Sequence, residues 1–98
     1  MNRLVNIEVF RALQDAHREA HILVDALERE VIEELCEVAL NVIIGNIPTE
    51  PDQLQRLRRF KKELLAITDP SASPAKVLRN LKEKGVVTNI LDVALPRL

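Results

Sequence analysis

Neither glycine nor proline occurs in the first 44 residues, and the apolar positions there recur at threes and fours. A stretch with that period and without either breaker is helical. One continuous helix would run roughly 60 Å, longer than a 98-residue domain can cover, so polar caps must divide it. Asp15 before Ala16 is one such cap, and Asp25 with Glu28 three residues later is another. The spacing predicts helices near 3–14, 16–24 and 26–44. The third carries Leu27, Val31, Leu35, Val38 and Val42 with Ile32, Ala39 and Ile43 in one wide stripe, and reads as the central helix.

Punctuation divides the second half. Gly45 and Asn46 tolerate the left-handed conformation that closes a helix. Thr49 as cap, Pro51 in the first turn and Asp52 behind it predict a helix over 50–67, stopped by Asp69-Pro70. Ser73 caps a helix over 74–84 that begins at Pro74 and stops at Gly85, and a short apolar tail follows over 86–95. No strand is required. The expected fold is all-α: a single compact bundle of about five or six short helices around one longer one.

Composition sets limits on function. Only Phe10 and Phe60 are aromatic, so the interior is aliphatic and a base-stacking platform is excluded. A net charge of −1 gives no global pull toward nucleic acid or an anionic membrane, so such binding requires a local patch. The longest apolar run, Val38 to Ile44, falls far short of the ~20 residues that cross a bilayer. One cysteine excludes an internal disulfide framework, and the first residues lack a signal-peptide pattern, so an intracellular, non-membrane protein is expected.

Five of the seven residues from Arg56 to Lys62 are basic. On a helical wheel Leu54, Leu57, Phe60, Leu64 and Ile67 share one side, while Arg58, Arg59 and Lys62 share the other. A row of cations on one helix face is what phosphate binding needs. Arg56, Arg58, Arg59, Lys61 and Lys62 are therefore the candidate binding residues, with Lys76, Arg79 and Lys82 extending the surface. A solvated helix face and an acidic protein partner are the competing readings. Glu28, Glu30, Glu33, Glu34 and Glu37 make the first half of the central helix acidic, and these two poles can pair within one chain or between copies.

Chemistry of other kinds finds little support. His17 and His21 stand four apart, but Arg18 occupies the place of a zincin glutamate and no third ligand follows at a recognisable spacing. Cys36 has Glu37 beside it and no cation within a turn, which is the setting of an inert thiol. Ser71 and Ser73 lack a nucleophile elbow, and the two glycines make no phosphate loop. No enzyme, cofactor, metal or small-molecule substrate is expected.

The run Leu35-Cys36-Glu37-Val38-Ala39-Leu40-Asn41-Val42-Ile43-Ile44-Gly45-Asn46-Ile47-Pro48 resembles a small protein of Maverick/Polinton-type DNA transposons and their adenovirus-like (adintovirus-type) viral relatives. The resemblance continues through Leu57-Arg58-Arg59-Phe60-Lys61-Lys62-Glu63-Leu64-Leu65 to Asp69, Ser73, Lys76 and Lys84-Gly85, covering roughly residues 25 to 85. It implies a role at viral DNA or inside a particle, with nuclear or virion location. Members of that group are strongly basic after the counterpart of Ser73 and carry paired glycines near that of Gly85; here the segment is less basic and has one glycine, which argues against DNA condensation. The reading is a non-enzymatic module that binds nucleic acid or a particle component through its basic helix face. The alternative is an adaptor that self-associates, or packs on a virion or host protein, through its apolar central helix and C-terminal tail.

Overall fold

The computed structural model describes residues 6–97. Its seven α-helices are α1 (Ile7–Ala16), α2 (Ala20–Leu23), α3 (Arg29–Ile43), α4 (Pro51–Arg58), α5 (Lys61–Thr68), α6 (Pro74–Leu81) and α7 (Val86–Ala94), and no strand occurs among the described residues. Short 3₁₀ turns at His17–Glu19 and Val24–Ala26 flank the single turn of α2, and a third, Leu95–Arg97, follows α7. The all-α bundle expected from the sequence is the fold observed.

Local chemistry explains most boundaries. α3 closes where Gly45 adopts a φ of 86°, with Asn46 N–H donating to the Asn41 carbonyl. Ser73 Oγ accepts the Lys76 N–H at 3.2 Å, and Pro74 supplies the first helical φ of α6. Asp69 Oδ1 accepts from both the N–H and the hydroxyl of Ser71, fixing the turn between α5 and α6. These bonds favour the ionised carboxylate and hold Asp69 below its ordinary range.

Several boundaries differ from the sequence reading. The first predicted helix begins inside residues 1–5, which lie outside the described residues, and α1 runs past Asp15 to Ala16. His17, with φ 49° and ψ −104°, ends it, and the predicted helix over 16–24 is broken into 3₁₀ and α turns. Glu28, not Asp25, occupies the cap position of α3, and Asp25 instead pairs with Lys82 at 2.9 Å. Thr49 does not cap α4; Glu50 does, with Gln53 Oε1 accepting its N–H at 3.0 Å in capping-box geometry. α6 ends at Leu81, four residues before Gly85.

The helix expected over 50–67 is two helices. Arg59 and Phe60 N–H groups bond three residues back, to Arg56 and Leu57, so α4 tightens and stops; Phe60, at φ −110° and ψ 21°, then restarts the chain as the cap of α5. The cause is tertiary. Gly85 turns at φ 96° to start α7, and a Cβ there would lie 2.8 Å from Phe60 Cζ. The ring needs that bare α-carbon, and one straight helix would carry it elsewhere.

α3 is the longest helix, but α7 is the one the others surround. Val86, Val87, Ile90, Leu91, Val93 and Ala94 are all buried, and α7 touches α1, α2, α3, α4 and α6. A helix apolar nearly all round belongs in a core. Its polar side chains are all engaged: Thr88 Oγ1 and Asn89 Nδ2 donate to the Gly85 carbonyl at 3.3 and 2.7 Å, and Asp92 Oδ1 accepts from Gln14 on α1 at 2.9 Å. The C-terminal segment is thus a core helix and not an exposed apolar tail.

Two substitutions check this account of the backbone. Gly85→Ala meets both the positive φ and the Phe60 ring, and destabilises by about 2–4 kcal/mol in urea unfolding. Phe60→Leu in the same chain recovers part of that loss, because the clashing ring tip is gone. His17→Gly relieves an unfavourable backbone conformation and stabilises by about 1 kcal/mol; equal or lower stability would show that His17 carries no strain.

Candidate nucleic-acid or partner interface

The elbow between α4 and α5 redistributes the basic cluster. Arg58 and Lys61 both line a shallow groove of about 200 Å³ between the C-terminal end of α3 and the α4–α5 pair. Its floor is apolar: Val42, Leu57 and Leu64 below, with Ile43 (40% exposed), Leu54 (43%) and Leu65 (53%) along its walls. Leu54, expected to point inward with Leu57, is therefore a surface residue. Arg59 and Lys62 do not line the groove; on α5 Lys62 is turned about 100° from Lys61 and both are exposed.

The remaining candidate cations separate as well. Arg56 Nη1 pairs with Asp52 on its own helix at 3.4 Å, and Lys82 Nζ pairs with Asp25 at 2.9 Å. Lys76 and Arg79 are exposed on α6, the helix packed against α5. Arg58, Arg59, Lys61, Lys62, Lys76 and Arg79 have no ion-pair partner among the described residues. The positive charge on α4–α6 is thus available to a partner.

The acidic pole is also free of the basic one. Glu33 pairs with Arg29 one turn before it, and no ion pair joins α3 to α4 or α5 among the described residues. Glu34 does not belong to that pole: it is 3% exposed, and Asn6 Nδ2 donates to its Oε2 at 2.6 Å. Glu28, Glu30, Glu33 and Glu37 remain on the surface.

The sequence reading missed the exposed apolar set of Leu40, Ile43, Ile44, Leu54 and Leu65. Its signal was on the wheel: Leu40 lies about 180° from Val31, on the polar side of α3. A second groove, about 610 Å³, lies between the first half of α3 and α6, with Leu27, Ile32, Cys36, Val77 and Leu78 among its walls. The burial of Cys36 there, with Glu33 nearby, pushes its thiol up to about 11. His17 is exposed at the helix break and His21 half-buried on α2. No group of three or more His, Cys, Asp and Glu side chains suited to a metal occurs among the described residues. No helix among them is long and apolar enough to cross a membrane.

The raised thiol predicts a reactivity. At pH 8 alkylation of Cys36 by iodoacetamide runs about 100-fold slower than that of an ordinary cysteine, since two pKa steps remove that much thiolate. Folding keeps the thiol protonated, so stability is fully present below pH 9.0 and is lost as pH rises toward 11. Urea midpoints for the wild type and Cys36→Ala across that range read this loss; parallel curves would count against it. Compared with known proteins, the chain matches no family model, no curated protein and no solved structure.

Proposed function

We propose that this protein is a non-enzymatic module that binds the phosphate backbone of nucleic acid through Arg59, Lys62, Lys76 and Arg79, with Arg58 and Lys61 at the edge of that surface. The observation that carries the reading is the set of exposed cations on α4, α5 and α6 with no carboxylate partner among the described residues. Cations already neutralised by neighbours release no counterions from DNA; unpaired ones do. Arg56 and Lys82 contribute least, because Asp52 and Asp25 engage them. Phe10 is fully buried and Phe60 packs its ring tip against Gly85, so little aromatic surface is left for stacking bases.

The resemblance to small proteins of Maverick/Polinton-type transposons and adenovirus-like viruses is in keeping with this reading, and so with a place at viral DNA or within a particle. Catalysis is not part of the proposal. The one cysteine is held protonated by burial, which makes it a poor nucleophile.

Fluorescence anisotropy with a labelled DNA duplex tests it. Four phosphate contacts give a slope of log K against log salt near −3.6, and each lost cation flattens it by about 0.9. Arg59→Ala/Lys62→Ala should therefore weaken binding at every duplex sequence and reduce the slope by about 1.8. A flat salt dependence, or no binding at low salt, overturns the reading.

A further inference from the structure

We propose that a second copy of this chain covers the exposed face of α3, in an antiparallel two-fold pairing that seats the basic rim of each groove against the acidic strip of the other copy. The proposal does not rest on nucleic-acid binding, and of the cations named for that role it uses only the two at the edge, Arg58 and Lys61. Its basis is the pattern along one helix. Glu30, Glu33, Glu37, Leu40 and Ile44 follow the 3-4-3-4 spacing of a heptad seam, and all five are exposed. At about 100° per residue they span about 80° of the α3 circumference, opposite the buried Val31, Leu35, Val38 and Val42. The strip is acidic in its first half and apolar in its second.

The apolar half is continuous with the groove. Leu40 and Ile43 are one turn apart on α3, and Ile43 lines the groove beside Leu54 and Leu65. Five of the seven large apolar side chains exposed among the described residues lie in this one patch. Arg58 and Lys61 bound its far side. Concentration of exposed apolar side chains in a patch with a charged border marks a protein surface.

Charge selects the occupant. The patch borders cations on α4–α5 and carboxylates on α3, and the two sets do not pair with each other among the described residues; Glu33 is engaged by Arg29 on its own helix, an exposed pair, and Glu37 has no ion-pair partner there. A two-fold contact is self-complementary, so an interface carrying both signs at opposite ends satisfies itself only when the copies run antiparallel. Glu33 lies seven residues, about 10 Å along the helix axis, from Leu40. With the apolar halves meeting at the axis, Glu33 and Glu37 of one copy come opposite Arg58 and Lys61 of the other. A parallel arrangement would set carboxylate against carboxylate and cation against cation.

Sedimentation equilibrium of the full chain gives the first reading: the mass should rise with concentration from the 11.1 kDa monomer to twice that value. Leu40→Gln/Leu65→Asn should keep the chain monomeric with an unchanged circular dichroism spectrum, since both side chains are at least 40% exposed. Glu33→Lys/Glu37→Lys and Arg58→Glu/Lys61→Glu should each weaken dimerisation by about tenfold or more on their own. Mixed in equal amounts, these two variants should recover dimer, because every reversed contact then meets its opposite. A wild type that stays monomeric at several hundred micromolar (a range above ordinary dissociation constants) overturns the pairing. So does a mixture that fails to recover dimer while both variants remain folded.

Discussion

The Phe60 ring lies over the bare α-carbon of Gly85, and much of the molecule is arranged by that contact. A side chain at Gly85 would bring a Cβ to 2.8 Å from Phe60 Cζ, and the same glycine turns at φ 96° to launch α7. One end of the contact therefore fixes where the core helix begins. The other fixes where the basic helix breaks, because the chain must turn at Arg59–Phe60 to lay the ring there. Core and surface are coupled through one aromatic edge.

That coupling decides what the basic residues can do. On one straight helix Arg58, Arg59 and Lys62 would form a single stripe on the side away from Leu57 and Leu64. With the elbow, Arg58 and Lys61 border an apolar groove, while Arg59 and Lys62 stay outside it and are exposed, as are Lys76 and Arg79 on α6. One segment thus presents cations in two settings. Cations at an apolar rim suit a partner that brings both carboxylates and apolar side chains; cations on an open polar face suit a polyanion, through counterion release.

What could be read from the chain follows the range of the interactions responsible. Gly45, Pro51, Ser73-Pro74 and the Asp69 turn act within four residues of themselves, and the boundaries they set stand where the sequence puts them. The Arg59–Phe60 break has no local breaker, since its cause lies 25 residues further on. The burial of α7 was readable in part: Val86, Val87, Ile90, Leu91, Val93 and Ala94 leave little of the helix polar, and a helix apolar nearly all round is interior. Asp25 is of a residue type that caps helices, yet a long-range pair with Lys82 engages it instead. The exposed cations were legible as a group, but their division between groove and open face was not.

The apolar stripe of α3 shows the same limit in a quantity. Val31, Leu35, Val38 and Val42 lie within about 60° of one another, while Ile43 is about 100° from Val42 and Leu40 is opposite. A core-facing helix needs only the first group, and the others are 40% exposed. Leaving them in water forgoes part of the ~25 cal/mol per Å² that burying apolar area contributes. The same chain keeps Glu34 buried on α3 with a donor from Asn6, so that helix excludes water from a carboxylate on one side and exposes leucine and isoleucine on the other. The Asn6 donor offsets part of the cost of the first arrangement, while Glu34 Oε1 is left without a partner. The second is the arrangement that the proposed pairing with a second copy of the chain would complete.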